Sequence, residues 1–227
     1  MTKIAVIFDF DGVIANTEPA HLAATQHVLS HQRVTLTSTE YEDRYLGYND
    51  RDLFSTLSRD RALGWRASDI DKLITDKGRA FERAVAGGST VYPSAARCIE
   101  RLSAAAIPLA IASGAFAEEI ESILSAAGLR RHFRAIVGAG DYVNGKPSPD
   151  PFVEAARRLA IDPRATVAIE DSQWGLDSAQ AAGCATIAVT NSYRRDVLTA
   201  HLIVDSLDEV DIAALTSLQP LTRHPLP

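Results

Sequence analysis

Apolar residues recur along the chain in short unbroken runs, at residues 4–8, 107–112, 135–137, 166–169 and 186–189, with a weaker run at 201–204. Runs without polar alternation suit strands buried on both faces, so each predicts a strand of a parallel sheet. Between the later runs lie amphipathic segments at 94–105, 117–127, 151–160 and 172–182, and Gly128 and Gly183 stand where helices would stop. This alternation of strand and helix predicts an α/β fold built on a doubly wound parallel sheet.

The rhythm breaks once. The first strand ends near Asp9 and the alternation resumes only around Pro93. Residues 17–88 are polar, strand-poor and helix-patterned, which predicts an inserted all-helical cap subdomain within a core made of residues 1–16 and 89–227. The insertion leaves from the carboxyl end of a strand, where open α/β sheets bind their ligands, so it is expected to roof a site. The final segment, SLQPLTRHPLP, is expected to fray.

Composition narrows the class of partner. The chain has 227 residues, is 46% hydrophobic and carries a net charge of −6 with no run of Lys or Arg. That is enough to bury a full core, and it offers no electrostatic footprint for nucleic acid or an anionic membrane. A small-molecule partner and a monomer are the expectations. Cys98 and Cys184 lie far apart in apolar surroundings, which suits buried thiols in a reducing compartment. The apolar run before Asp9 is too short for a signal peptide or a membrane span, so a cytoplasmic location is expected.

Polar residues suited to binding phosphate or a metal follow four of the predicted strands: Asp9 and Asp11, then Ser113 and Gly114, then Gly145, Lys146 and Pro147, then Glu170 and Asp171. All belong to one edge of the sheet. A strand has period two, so Asp9 and Asp11 can face the same way as the chain leaves it, with Gly12 allowing a sharp departure. Carboxylates so crowded repel one another, so a cation must sit among them; an oxygen-only cluster suits Mg²⁺, and Lys146 supplies further positive charge. Together these groups fit a phosphate. Taken singly, Ser113 would read as a helix cap, Lys146 as a surface lysine, Asp150 as the cap of the next helix and Trp174 as packing. Two nucleotide motifs fail. The stretch GDYVNGKP puts Pro147 where a phosphate-binding loop needs a hydroxyl, and GAG at 138–140 has Val143 in place of a third glycine.

In order along the chain, DFDGV, IASG, GKPSPD and IEDSQWGLDSAQAAG resemble the four motifs of the haloacid dehalogenase superfamily. With NTEPAH after the first motif, the chain is similar to the β-phosphoglucomutase-like and phosphoglycolate phosphatase-like branch, which carries a helical cap. The resemblance implies that Asp9 attacks phosphorus to form an aspartyl-phosphate and that Asp11 is the general acid and then the general base. It implies that Ser113, Gly114 and Lys146 bind the phosphoryl group. It also implies that Mg²⁺ is held by Asp9, the carbonyl of Asp11, Asp171 and Glu170.

Asp11, Glu170 and Asp171 argue against metal-free halide displacement, which needs none of them. A phosphosugar mutase must also grip a second phosphate, and in that pattern a Ser-Lys-Asn run follows the second-motif serine. Here Ala115, Phe116 and Ala117 stand there instead, and Arg51 falls one residue late for the cap arginine. A Mg²⁺-dependent phosphatase of small phosphomonoesters, with sugar phosphates as the class, is therefore the expected function, and a mutase is the alternative. In the cap, His21, Arg51 and Lys77 are the candidate substrate contacts, with Tyr48 and Asn49 beside them.

Overall fold

The structure, a computed structural model, describes residues 4–45, 48–86 and 90–218; most of the proline-bearing final segment lies outside them. The apolar runs become β1 (Ala5–Phe8), β2 (Leu109–Ala112), β3 (Phe133–Val137), β4 (Thr166–Glu170), β5 (Ala185–Val189) and β6 (Leu202–Val204). They pair in parallel in the order β3-β2-β1-β4-β5-β6. The chain builds outward from β1 in one direction, then returns to start β4 on its other side. The crevice beyond the carboxyl ends of β1 and β4 is therefore the topological switch point, where sheets of this kind bind ligands.

Two strand starts differ from the apolar pattern by two residues, each for a local reason. β2 begins at Leu109 because Pro108 has no N–H to give the ladder and Ala106 adopts a φ of 59°. β3 begins earlier, at Phe133, because its exposed Arg134 sits on an edge strand and interrupts the apolar run without ending the strand.

Residues 17–88 cluster as a separate compact unit. It contains α1 (Glu18–His31), α2 (Ser38–Arg44), α3 (Asp50–Asp60) and α4 (Ala67–Ala86). Thr37 caps α2 by accepting from Glu40 N–H, and Asn49 caps α3 by accepting from Asp52 N–H. The unit has its own core, in which Val28 and Leu29 of α1 meet Tyr41, Leu53, Phe54, Leu57, Ile70 and Leu73.

The remaining residues, 1–16 and 89–227, form the α/β unit, with α5 (Pro93–Ala104), α6 (Ala117–Ala126), α7 (Asp150–Leu159), α8 (Gln173–Ala182) and α9 (Ile212–Ser217). The insertion's entry and exit lie side by side in it: Asn16 N–H bonds Thr90 O at 2.7 Å. One face of the sheet presents Ala5, Ile7, Ala110, Ala112, Val137 and Ala168 to Phe152, Ala155 and Ala156 of α7 and Ala179 of α8. The alanines let these helices approach closely. Val6, Phe8, Leu109, Ile111 and Ile169, of the opposite parity, are fully buried, and α5 and α6 pack against β2 and β3. Both faces are thus covered, which is why the strands read as continuous apolar runs. Among the described residues no helix is long and apolar enough to cross a membrane.

Candidate active site

The sheet register brings the acids together. Phe8 pairs with Ile169, and Asp9 N–H bonds Ile169 O at 2.9 Å, so Asp9 and Glu170 leave adjacent strands at the same level. Asp9, Glu170 and Asp171 are buried, and one carboxylate oxygen from each lies within 4.8 Å of the others. At that spacing, with an effective dielectric constant near 20, each like-charged pair repels by about 3–4 kcal/mol. Something must offset this.

Part of the answer is Lys146. Its Nζ lies 2.5 Å from Asp9 Oδ1 and 2.5 Å from Glu170 Oε1, and 5.1 Å from the centre of the Phe152 ring. Burial alone would lower the ammonium's pKa, but Asp9 and Glu170 outweigh it and hold the group above its ordinary value. The lysine is aimed by its loop. Asp150, which opens α7, accepts from Ser148 Oγ at 2.8 Å and from both the backbone N–H and the side-chain amide of Asn144 at 3.0 Å. The cap of α7 is Pro149, so Asp150 pins the lysine loop and does not cap the helix from outside.

Lys146 does not neutralise the cluster. Burial, reinforced by Glu170, Asp171 and Asp11, holds the Asp9 carboxyl well above its ordinary value despite the lysine. Burial and then Glu170 push Asp171 up to about 7, against a hydrogen bond from Ser192 and the pull of Lys146. The cluster is short of positive charge, and its converging donors are all hard oxygens. That donor set fits a small divalent cation. Asp11, half-buried just beyond, is near enough for its charge to raise both Asp9 and Asp171.

Two glycines make room for these carboxylates. Gly12 has φ +77°, and a Cβ there would stand 1.9 Å from Asp171 Oδ2. On Gly175 in α8, a Cβ would stand 1.8 Å from Glu170 Oε1. Glu170 occupies that space, and its Oε2 accepts from the N–H groups of Asp171 and Ser172 and from the Ser172 hydroxyl, all at the N-terminus of α8. The sequence pattern marked Gly12 but passed over Gly175. A helical glycine reads as a loss of propensity until the neighbouring carboxylate is seen.

Ser113 follows β2 at the same edge, its N–H on Val137 O at 3.0 Å, and is buried. It does not cap α6, whose cap is Phe116; instead its hydroxyl accepts from Ala115 N–H at 3.1 Å. Gly114 is exposed, with nothing within 4 Å of where a Cβ would stand. Phe116 is 62% exposed, and Trp174, expected to be packing, is 58% exposed.

The helical unit's candidates are brought together only in part. Lys77 is buried and donates to Asp50, and its Nζ also lies 3.2 Å from His21 Nδ1. The His21 ring stacks on Phe81 with centroids 4.2 Å apart. Arg51 instead lies exposed and paired with Asp71 at 2.6 Å. Tyr48 is exposed, and Asn49 is the cap of α3. Asp50, the partner of Lys77, carried no signal in the sequence, because the pair joins two different helices.

Burial, then the Lys77 charge, lowers His21 to about 3, so the imidazole is neutral and accepts at Nδ1. Its folded pKa lies below the unfolded one, so the stability it brings is present above about pH 6.5 and is lost as pH falls toward 3. At pH 5 the loss amounts to about 2 kcal/mol. With saturating divalent cation to keep the carboxylates fixed, the melting temperature of His21→Gln is expected to fall less between pH 8 and pH 5 than that of the wild type. Parallel pH profiles would show that His21 is not held neutral.

The family model for haloacid dehalogenase-like hydrolases matches residues 6–189. A phosphoglycolate phosphatase of Mesorhizobium japonicum is 29% identical over 196 residues, 85% of each chain. The plasmid-borne CbbY protein of Cupriavidus necator is 31% identical over 205 residues, 83% of this chain and 79% of that one. The crystal structure of CbbY from Rhodobacter sphaeroides in complex with xylulose-(1,5)bisphosphate is 26% identical and superposes with a TM-score of 0.82, covering 94% of this chain and 99% of that one. With its six-stranded parallel sheet and a family model matched over most of its length, this chain belongs to the haloacid dehalogenase-like hydrolase family.

Proposed function

We propose that the protein is a Mg²⁺-dependent phosphatase that hydrolyses small phosphomonoesters, with sugar phosphates as its substrate class, through an aspartyl-phosphate on Asp9. It acts as a cytoplasmic monomer, on small molecules and not on nucleic acid or membranes. The observation that carries this reading is the partly buried Lys146 ammonium held 2.5 Å from both Asp9 and Glu170 beside a third acid. An ammonium held among carboxylates can also pair the oxygens of a phosphate dianion brought beside them. Cys98 and Cys184 are free, buried thiols, each pushed up to about 11 by burial, which suits a reducing compartment.

The mechanism assigns each side chain one task. Asp9 supplies the attacking carboxylate oxygen, already oriented by Lys146. Lys146 then stabilises charge on the transferring phosphoryl group. Ser113, whose oxygen already accepts from Ala115 N–H, has its O–H left to donate to a phosphoryl oxygen, and the Gly114 backbone lies open beside it. Asp11 gives its proton to the leaving alkoxide and then takes one from the water that hydrolyses the intermediate. Asp9, Asp171, Glu170 and the carbonyl of Asp11 would hold Mg²⁺, which when bound supplies positive charge against the incoming dianion.

Hydrolysis is favoured over isomerisation because no grip for a second phosphate is found among the described residues. Ala115, Phe116 and Ala117 follow Ser113, and within the helical unit Lys77 is paired with Asp50 and Arg51 with Asp71. An apolar run and paired cations do not replace charge-assisted bonds to a dianion. His21, Lys77 and Arg51 then act on the ranking of substrates, not on phosphoryl transfer. The relatives' names, phosphoglycolate phosphatase and a CbbY crystallised with a sugar bisphosphate, support the substrate class. A panel of sugar phosphates with Mg²⁺ is expected to yield inorganic phosphate over many turnovers. Conversion of β-glucose 1-phosphate to glucose 6-phosphate faster than phosphate release, stimulated by a bisphosphate, would contradict it.

Gly175 provides a test of the cluster from outside. Gly175→Ala forces Glu170 off its site and so disturbs Lys146, and overpacking of this kind costs about 1–3 kcal/mol. Activity is expected to fall about 100-fold, since a displacement near 1 Å of a positioning group has that effect. Wild-type turnover by Gly175→Ala would mean that Glu170 does not fix the lysine.

A further inference from the structure

The loop after β5 bears no acid at the sheet edge and was passed over in the sequence, yet it reaches the cluster twice. Asn191 Nδ2 donates to the Gly12 carbonyl at 2.8 Å, and the Ser192 hydroxyl donates to the Asp171 carboxylate. The two contacts converge. Asp171 Oδ2 and Ser192 Oγ stand 1.9 Å and 2.6 Å from the point where a Cβ on Gly12 would project. Loops from β1, β4 and β5 therefore meet over a single α-carbon that carries no side chain.

The loop is anchored before it arrives. Thr190 N–H bonds Val204 O at 3.1 Å, the Thr190 hydroxyl donates to Asp205 at 2.9 Å, and Arg195 bonds Asp205 and Ile203 O. Its outer side borders an open groove of about 830 Å³, and Asn191 and Ser192 are exposed. They bury little apolar surface, so filling the core does not explain them.

We propose that Asn191 and Ser192 are positioning residues for the divalent-cation site: Asn191 fixes the Gly12–Val13 peptide, the next one along from the peptide that carries the Asp11 carbonyl, and Ser192 fixes the rotamer of Asp171. The proposal rests on the reading of the acidic cluster as that site. A hydroxyl bonded to a carboxylate ties down one of its lone pairs and its torsion angle, so the carboxylate meets the cation without reorganising. Partners of this outer kind change metal affinity by about 10- to 100-fold.

The test is calorimetric titration of Mg²⁺ into the metal-free protein without substrate. Ser192→Ala and Asn191→Ala are each expected to bind Mg²⁺ at least about tenfold more weakly, with metal-free melting temperatures within a few degrees of the wild type. Ser192→Thr, which keeps the hydroxyl, is expected to restore binding. Wild-type affinity in Ser192→Ala would overturn the proposal. So would a loss that follows a lower melting temperature and is not restored by Thr. If the wild type itself takes up no Mg²⁺, the cation reading fails along with it; if the wild type binds and the variants match it, only the positioning role fails.

Discussion

Asp9→Asn is expected to leave the protein folded and to lower phosphate release by about 10⁴-fold or more, the scale of removing a nucleophile that acts as one unit with its neighbours. An amide oxygen in the same place is a poor nucleophile for phosphorus, and among the described residues no other carboxylate sits at the head of β1 with Lys146 against it. The fold should not suffer. Asp9 has a folded pKa well above its unfolded one, so the stability linked to its protonation is present at low pH and is lost as pH rises through the folded value. Above the unfolded pKa, folding must either bury the Asp9 charge or take up a proton, and Asn removes that cost while Lys146 still has Glu170 as its partner. The melting temperature of metal-free Asp9→Asn is therefore expected to equal or exceed that of the wild type. Substantial turnover by this variant would remove Asp9 from the mechanism.

Asp11→Asn carries the second-largest effect, and its size should depend on the leaving group. Asp11 moves protons and does not attack phosphorus, so its loss is worth about 10²–10⁴-fold where the leaving group needs a proton. A sugar or other alkyl phosphate falls in that class. An aryl phosphate such as p-nitrophenyl phosphate leaves as a stable phenolate and is expected to be hurt less in the first step. It is still slowed in the second, where Asp11 activates water. The readout is the ratio of wild-type to variant kcat/KM on each substrate, with the larger ratio on the alkyl phosphate. Equal ratios would count against Asp11 as the general acid.

Much of this site was legible because its chemistry is written locally. The strand β1 runs straight into Asp9, and Ser113, Lys146 and Glu170 each follow an apolar run, so parallel pairing alone carries them to one edge. The sheet order then puts Asp9 and Glu170 on neighbouring strands, which the pattern of runs did not by itself require. What stayed hidden depends on contacts distant in sequence. Gly175 matters because a glutamate fills the place of its missing side chain. Ser192 and Asn191 are polar residues in an exposed loop, indistinguishable in sequence from a solvated turn until their partners across the sheet edge are known. The pairing of Lys77 with Asp50 and its approach to His21 join helices far apart in sequence, so no local pattern showed them. Trp174 was expected to pack, but the first turn of α8 leaves most of it in solvent.

The most direct test is to trap the acyl-phosphate on the protein itself. Enzyme quenched during turnover of a sugar phosphate with Mg²⁺, then reduced with borohydride and digested, should yield a peptide spanning the end of β1 in which position 9 has the mass of homoserine, because an acyl-phosphate is reduced and a free carboxylate is not. The same treatment without substrate, or of Asp9→Asn, should leave that peptide unreduced. Turnover with no reduction at position 9, or with reduction at another carboxylate instead, would contradict an aspartyl-phosphate on Asp9.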